Sequence, residues 1–214
     1  MKKIDLIIFD LDGTLINSLR DIAISLNYAL ERLGLESLSE EKVRGYIGSG
    51  IKKLIEDVLG SESDSRLSAM INLFREHHNK HLLDNTVLYS GVREILEFFG
   101  VKKKAVISNK NKEFSVAVLR GLGAEHYFDV VLGPEDTRQR KPFPEPIFKV
   151  LAKLNINPSK TVMVGDNPID VEAGKAANVL TCGVTYGFCK KEDVQRTNPD
   201  FLIGDIIELK KLIV

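Results

Sequence analysis

The chain has no excess of either charge. Among its 214 residues, 30 Lys and Arg balance 30 Asp and Glu, and the pI is near 6.9. That excludes the global basic field with which proteins hold a nucleic-acid backbone or an anionic membrane, so neither is an expected partner. Long apolar runs are missing too: none approaches the roughly 18 residues that a membrane-spanning helix needs. The opening Met1-Lys2-Lys3-Ile4-Asp5-Leu6-Ile7-Ile8-Phe9-Asp10 is basic and then apolar. Its apolar run is short and ends in an acid, which predicts no signal peptide. Cysteine is scarce, with only Cys182 and Cys189 present. Two thiols so placed predict reduced side chains and a cytoplasmic protein rather than a disulfide framework. Repeats and low-complexity tracts are absent. What remains is an ordinary globular composition, 43% hydrophobic and 28% charged, in a length that fits one domain or one domain carrying a sizeable insertion.

Short apolar runs at residues 4–9, 104–107, 130–132, 162–164 and 180–184 are strand-sized and rich in Val, Ile or Leu. Between them, residues 92–99, 113–121, 145–154 and 169–177 carry helical spacing. Strands that read as continuous apolar runs are buried on both faces, and their alternation with helices predicts a mainly parallel sheet in a Rossmann-like, three-layer α/β core. Residues 16–86 break the rhythm. They contain no convincing strand, and residues 16–33, 40–46, 51–59 and 64–83 have helical spacing, separated by Gly34, Gly48-Ser49-Gly50 and Gly60-Ser61. The expected organisation is an α/β core made of residues 1–15 and 87–214, with residues 16–86 as an inserted all-helical cap or lid. The competing reading of the insertion is a decoration without function. Lys102-Lys103-Lys104 is expected to be a solvated turn, and His77, His78 and His81 a solvated helix face.

Chemistry-bearing residues gather where strands should end. Asp10-Leu11-Asp12-Gly13-Thr14 follows the first strand, at the edge where open α/β sheets bind ligands. Asp10 and Asp12 project to the same side if the strand geometry persists, and close carboxylates repel unless a cation or a proton separates them. An acidic turn is the bland alternative. Gly165-Asp166-Asn167-Pro168-Ile169-Asp170 follows another strand. Asn167 as N-cap and Pro168 at the first helical position explain part of it, with Asp170 favouring the helix dipole. Asp166 is left without a structural reason, and a hard cation such as Mg²⁺ is the natural partner for carboxylates from two strand tips. Ser108-Asn109-Lys110 and Arg140-Lys141-Pro142 add a hydroxyl, an amide and a lysine near the same edge. Each of these alone reads as a polar turn or an exposed basic loop. Together, acids, a divalent cation, a lysine and a hydroxyl are the set that phosphoryl transfer requires.

Over essentially its whole length the sequence resembles the haloacid dehalogenase superfamily, and within it the phosphoglycolate-phosphatase-like group with a helical cap. Phe9-Asp10-Leu11-Asp12-Gly13-Thr14-Leu15 matches the family's first motif, Ser108-Asn109-Lys110 its second, Lys141-Pro142-Phe143-Pro144-Glu145-Pro146 its third and Gly165-Asp166-Asn167-Pro168-Ile169-Asp170 its fourth. The resemblance implies that Asp10 attacks phosphorus and becomes an aspartyl-phosphate. Asp12 would act as acid and then base, Ser108 would bind the phosphoryl group, and Lys141 would pair with it and with Asp10. Mg²⁺ would be held by Asp10, Asp166 and the backbone carbonyl of Asp12, with Asp170 orienting a metal water or the lysine. Thr14 would support the loop, and Thr14 and Asn109 are implied substrate-binding residues. The cap loop Val43-Arg44-Gly45-Tyr46-Ile47-Gly48-Ser49-Gly50 resembles one that reaches toward the leaving group, which makes Arg44, Gly48 and Gly50 candidate substrate contacts.

The implied protein is a Mg²⁺-dependent phosphatase acting on a small phosphate ester, with phosphoglycolate the leading candidate, as a monomer or weak homodimer. A sugar-phosphate mutase, a nucleotide or pyrophosphate hydrolase on the same site, and a non-catalytic binding protein are the alternatives. Three positions depart from the usual pattern of the group: Asn17 stands where an acid is common, Ser90 where proline is common, and Asn167 where serine is frequent.

Overall fold

The computed structural model describes residues 1–60 and 65–214. Its strands are β1 (Leu6–Phe9), β2 (Ile16–Asn17), β3 (Val87–Leu88), β4 (Lys103–Ile107), β5 (Val130–Leu132), β6 (Thr161–Gly165), β7 (Leu180–Val184) and β8 (Phe201–Ile203). Six of them form one sheet in the order β5-β4-β1-β6-β7-β8, with every pairing parallel. Alternate side chains go to opposite faces. Ile7, Phe9, Val106, Val162 and Val164 enter one apolar cluster, and Leu6, Ile8, Ala105, Ile107 and Met163 enter the other. Both faces are therefore buried, which is why these strands read as unbroken apolar runs. Two helices, α5 (Val92–Phe98) and α6 (Lys112–Gly121), cover the first face. On the second lie α7 (Glu145–Leu154) and α8 (Pro168–Ala176).

From β1 the chain winds outward to β4 and β5, then returns to β6 and winds the other way. The carboxyl ends of β4, β1 and β6 meet at that reversal, where a crevice must open. The register sets Phe9 beside both Val106 and Val164, so the residues after each strand leave the sheet level with one another.

Among the described residues, four helices lie between β2 and β3: α1 (Leu19–Arg32), α2 (Glu40–Arg44), α3 (Ile51–Leu59) and α4 (Leu67–Lys80). They have an apolar cluster of their own, including Leu26, Val43, Ile55, Met70 and Phe74. Phe188, from the loop after β7, is the core residue that joins it. The expected helix over 16–33 starts later, because Ile16–Asn17 pairs antiparallel with Val87–Leu88 at the base of the helical group. A two-residue strand leaves no periodic signal, and β8 is a further strand that the apolar runs do not predict. Asp64 and Ser61, expected to begin a helix and to join a loop, lie outside the described residues. Lys104 sits in β4 as the run 104–107 predicts, but the solvated reading of the lysine run is corrected here: Lys104 is buried, its ammonium donating to the carbonyl oxygens of Phe99 and Lys102 at 2.8 and 2.9 Å. Its aliphatic stem continues the strand while its polar tip finds backbone acceptors.

Asp21 of α1 ties the first helix to residues 85–86, just before β3. Its buried carboxylate accepts from the backbone N–H of Asn85 and Thr86, the Asn85 amide and the Thr86 hydroxyl at 2.7–3.0 Å. Burial alone would raise its pKa, but the hydrogen bonds from Thr86 and Asn85 outweigh it and hold the carboxyl below its ordinary value. This stabilisation is present above the unfolded pKa of about 3.9 and is lost as pH falls through the lower folded value. Asp21→Ala leaves those donors unpaired and should cost about 2–3 kcal/mol in denaturant unfolding at pH 7. A change within about 0.5 kcal/mol would show that the carboxylate is not the tie.

Candidate active site

Four strand-end segments converge in the crevice. Lys141 is wholly buried, and its ammonium lies 2.7 Å from Asp10 Oδ1 and 2.6 Å from Asp170 Oδ1. Oxygens of Asp10, Asp166 and Asp170 lie within 4.8 Å of one another. Asp166 accepts from the Thr14 hydroxyl at 3.1 Å and from the Phe188 backbone N–H at 2.8 Å. The Tyr186 hydroxyl donates to the Thr14 carbonyl at 2.8 Å, bracing the first loop from β7's side. Gly13 has φ +86, and a Cβ there would run into the Asp166 carboxylate, so only glycine lets the loops approach this closely.

Local sequence accounts for the placement of Asp170. Asn167 caps α8 by accepting from the Ile169 N–H, and Asp170 Oδ2 accepts from the Asn167 N–H at 3.0 Å. This reciprocal cap uses one carboxylate oxygen and aims the other at Lys141. The structural and chemical explanations of the fourth motif are thus both true of the same side chain.

Three buried carboxylates face one ammonium, leaving two negative charges uncompensated. Burial raises the Asp10 pKa well above its ordinary value; Lys141 opposes this, while the charges of Asp170 and Asp166 add to it. Burial, then the Asp170 charge, pushes Asp166 up to about 7. Burial would discharge Lys141, but Asp10 and Asp170 outweigh it and keep the amine protonated. A hard divalent cation fits this donor set: the ligands are all oxygens, they converge, and the charge they lack is two. The fit is with Asp10, Asp166 and Asp170. Asp12 directs its carboxylate elsewhere, accepting from Ser18 Oγ at 2.5 Å and pairing with Lys110 at 3.3 Å.

Above these groups is a cavity of about 60 Å³. Asp10, Asp12, Ser108 and Lys110 line it from the core, and Gly48, Gly50, Leu54, Phe74 and His78 from the helices. Two groups were missed in the sequence. Lys110 had no assigned role, and His78, expected on a solvated face, is 1% exposed. The imidazole packs against Phe74 and Phe114 and reaches Lys110 Nζ with Nε2 at 3.3 Å. Burial, followed by the Lys110 charge, pushes its pKa down to about 2. The helical spacing of 77, 78 and 81 was readable; which flank met the core was not. His81 stays outside, paired with Asp84.

Asn109 and Thr14 do not line the cavity. Asn109 donates to the carbonyl oxygens of Gly48 and Lys141, both at 3.1 Å, joining the 45–50 loop to the core. Arg44 is a correction: it is exposed, lies outside the lining and sits 3.8 Å from Glu41 on the surface. The one-turn α2 turns it outward while burying Val43. Burial, with the Asp166 charge, pushes the Cys189 thiol up to about 12, so no reactive thiolate stands here.

Residues 7–184 match the family model of haloacid dehalogenase-like hydrolases. The chain belongs to that family. The haloacid dehalogenase-like chain is 37% identical to a phosphoglycolate phosphatase of Aquifex aeolicus, covering 97% of this chain and 95% of that one. It is 33% identical to the phosphoglycolate phosphatase of Haemophilus influenzae, with 97% of both chains covered. A crystal structure of a predicted phosphoglycolate phosphatase from Haemophilus somnus superposes with a TM-score of 0.92 at 30% identity over 99% of each chain.

The backbone of the 45–50 loop also approaches the core closely. Gly50 has φ +82, and a Cβ there would lie 2.8 Å from the Asn109 carbonyl oxygen. Gly50→Ala should lift the loop from the strand tips and speed amide exchange across residues 45–52 about tenfold. Exchange at the unaltered rate would refute this seating.

Proposed function

We propose that this haloacid dehalogenase-like hydrolase is a Mg²⁺-dependent phosphatase that cleaves a small phosphomonoester through an aspartyl-phosphate, with phosphoglycolate as the leading substrate. The observation that carries the reading is Asp10, fixed 2.7 Å from Lys141 beside two further buried carboxylates and open to a cavity that it shares with Asp12. The names of the full-length relatives support the substrate, and the size of the cavity favours a leaving group of few atoms over a nucleoside.

In this reading Asp10, Asp166 and Asp170, with the Asp12 carbonyl, would hold Mg²⁺, which when bound would supply positive charge against the phosphate and favour the ionised form of Asp10. Asp10 attacks phosphorus as the bond to the leaving oxygen breaks, and Asp12 delivers a proton to that oxygen. Asp12, now a base, takes a proton from water as it attacks the aspartyl-phosphate, releasing phosphate and restoring Asp10. The Ser108 hydroxyl donates to a phosphoryl oxygen, and Lys141 pairs with phosphoryl and nucleophile charge. Residues 16–86 act as the cap, whose apolar inner wall keeps bulk water from the reaction.

Asp10→Asn should lower phosphate release from p-nitrophenyl phosphate by about a thousandfold or more, because an amide is no nucleophile here. Turnover within tenfold of the unaltered protein would remove Asp10 from this role. Chelation with EDTA should abolish activity, and added Mg²⁺ should restore it. Full activity in excess chelator would exclude the metal.

A further inference from the structure

We infer that Lys110, held in place by His78, reads a negative charge on the leaving group, so that the site selects phosphate esters whose alcohol carries a carboxylate close to the ester oxygen. This rests on the phosphatase reading above and adds to it the residues that choose the substrate.

Among the described residues that line the cavity, Lys110 is the only cation. The wall toward the helices is otherwise largely apolar, with Ile22, Ile47, Ile51, Leu54, Phe74 and Phe114. A neutral or hydrophobic leaving group would need nothing more than such a wall. There, among the described residues, the ammonium has Asp12 as its one charged partner, and a ligand anion placed beside it gains more than it would in water. Lys110 also stands in the right place. Asp10 and Ser108 occupy the phosphoryl end, while Lys110 Nζ lies between Asp12, the proposed proton donor to the leaving oxygen, and His78 on α4. A group attached to that oxygen therefore extends past Lys110. Two of the three ammonium protons are directed at Asp12 and His78, leaving one for a ligand.

The hydrogen-bond chain behind His78 defines its role. Ser25 Oγ donates to the Asp21 carbonyl at 2.7 Å and lies 3.1 Å from His78 Nδ1 and 3.2 Å from His77 Nδ1. An ammonium can only donate, so His78 Nε2 accepts from Lys110, and in the neutral ring Nδ1 then carries the proton toward Ser25. Burial and the neighbouring ammonium keep the ring neutral. Asp12 already sits 3.3 Å from the ammonium, and a second carboxylate in place of His78 would make the group net negative. A neutral imidazole aims the ammonium without adding negative charge, which makes His78 a positioning residue.

The test compares kcat/KM for 2-phosphoglycolate with that for 2-hydroxyethyl phosphate, a near-isosteric ester with a neutral end, both with Mg²⁺. Their ratio in one preparation does not depend on the fraction of folded enzyme. Lys110→Met should reduce the ratio about 10- to 100-fold, mainly through KM for 2-phosphoglycolate. His78→Leu should reduce it in the same direction, and His78→Gln, which keeps a neutral acceptor, should recover most of the loss. An unchanged ratio in Lys110→Met, with both esters slowed equally, would overturn the inference and leave the phosphatase reading standing. Failure of His78→Gln to recover the ratio would overturn the positioning role. If the unaltered protein hydrolyses neither ester but cleaves p-nitrophenyl phosphate, this inference falls alone; if it cleaves none of the three, the phosphatase reading falls with it.

Discussion

Two uncompensated negative charges, buried where β1 and β6 end, are the constraint around which the crevice is built. Asp10, Asp166 and Asp170 lie within 4.8 Å of one another, and Lys141 offsets only one of them. Such an arrangement costs folding free energy in the absence of a counterion. The surroundings show how it is held. Thr14 and the Phe188 N–H donate to Asp166, Asn167 donates to Asp170, and Tyr186 fixes the loop that carries Thr14. The donors come from the segments after β1, β6 and β7. The acids cannot relax apart without breaking the sheet register that sets β1, β4 and β6 level.

A second charge system sits beside the first and does different work. The Asp12–Lys110 pair is neutral as a pair and continues through the uncharged His78 into α4 and, by Ser25, into α1. Polar contact between the helices and the core runs through this chain and through Asn109, which holds Gly48. Phe188 supplies the apolar counterpart, and its own N–H binds Asp166. The position of the helices is thereby coupled to both carboxylate groups by short, nameable contacts. The cavity between them is closed by apolar side chains, so each charge inside it acts at low effective dielectric.

Much of the candidate site was legible because its residues are contiguous with strands that are legible themselves. A strand buried on both faces must be apolar throughout, so an acid directly after such a run marks the strand's end and faces the crevice. Asp10 and Asp166 were found in this way, and the cap of α8 was readable from Asn167-Pro168-Ile169-Asp170 alone. Arg44 and His78 show where local reasoning stopped. Both lie on amphipathic helices, where spacing shows that one face is buried without showing what covers it. Arg44 turned to solvent, and His78 turned into the cavity. Lys104 misled for a related reason: a lysine triplet reads as a solvated turn until backbone carbonyls from Phe99 and Lys102 are placed around the third ammonium.

By itself the sequence determined the layered α/β core, the helical interruption after the first strand and the strand-end carboxylates, since these depend on local periodicity and on what must follow a buried strand. Only the tertiary structure decided that Lys141 joins Asp10 to Asp170, that Asp12 turns to Lys110 instead, and that a histidine 68 residues after Asp10 completes the cavity wall. Those pairings depend on distances between segments far apart in the chain, and such distances are fixed by sheet order and helix packing rather than by any run of neighbouring residues.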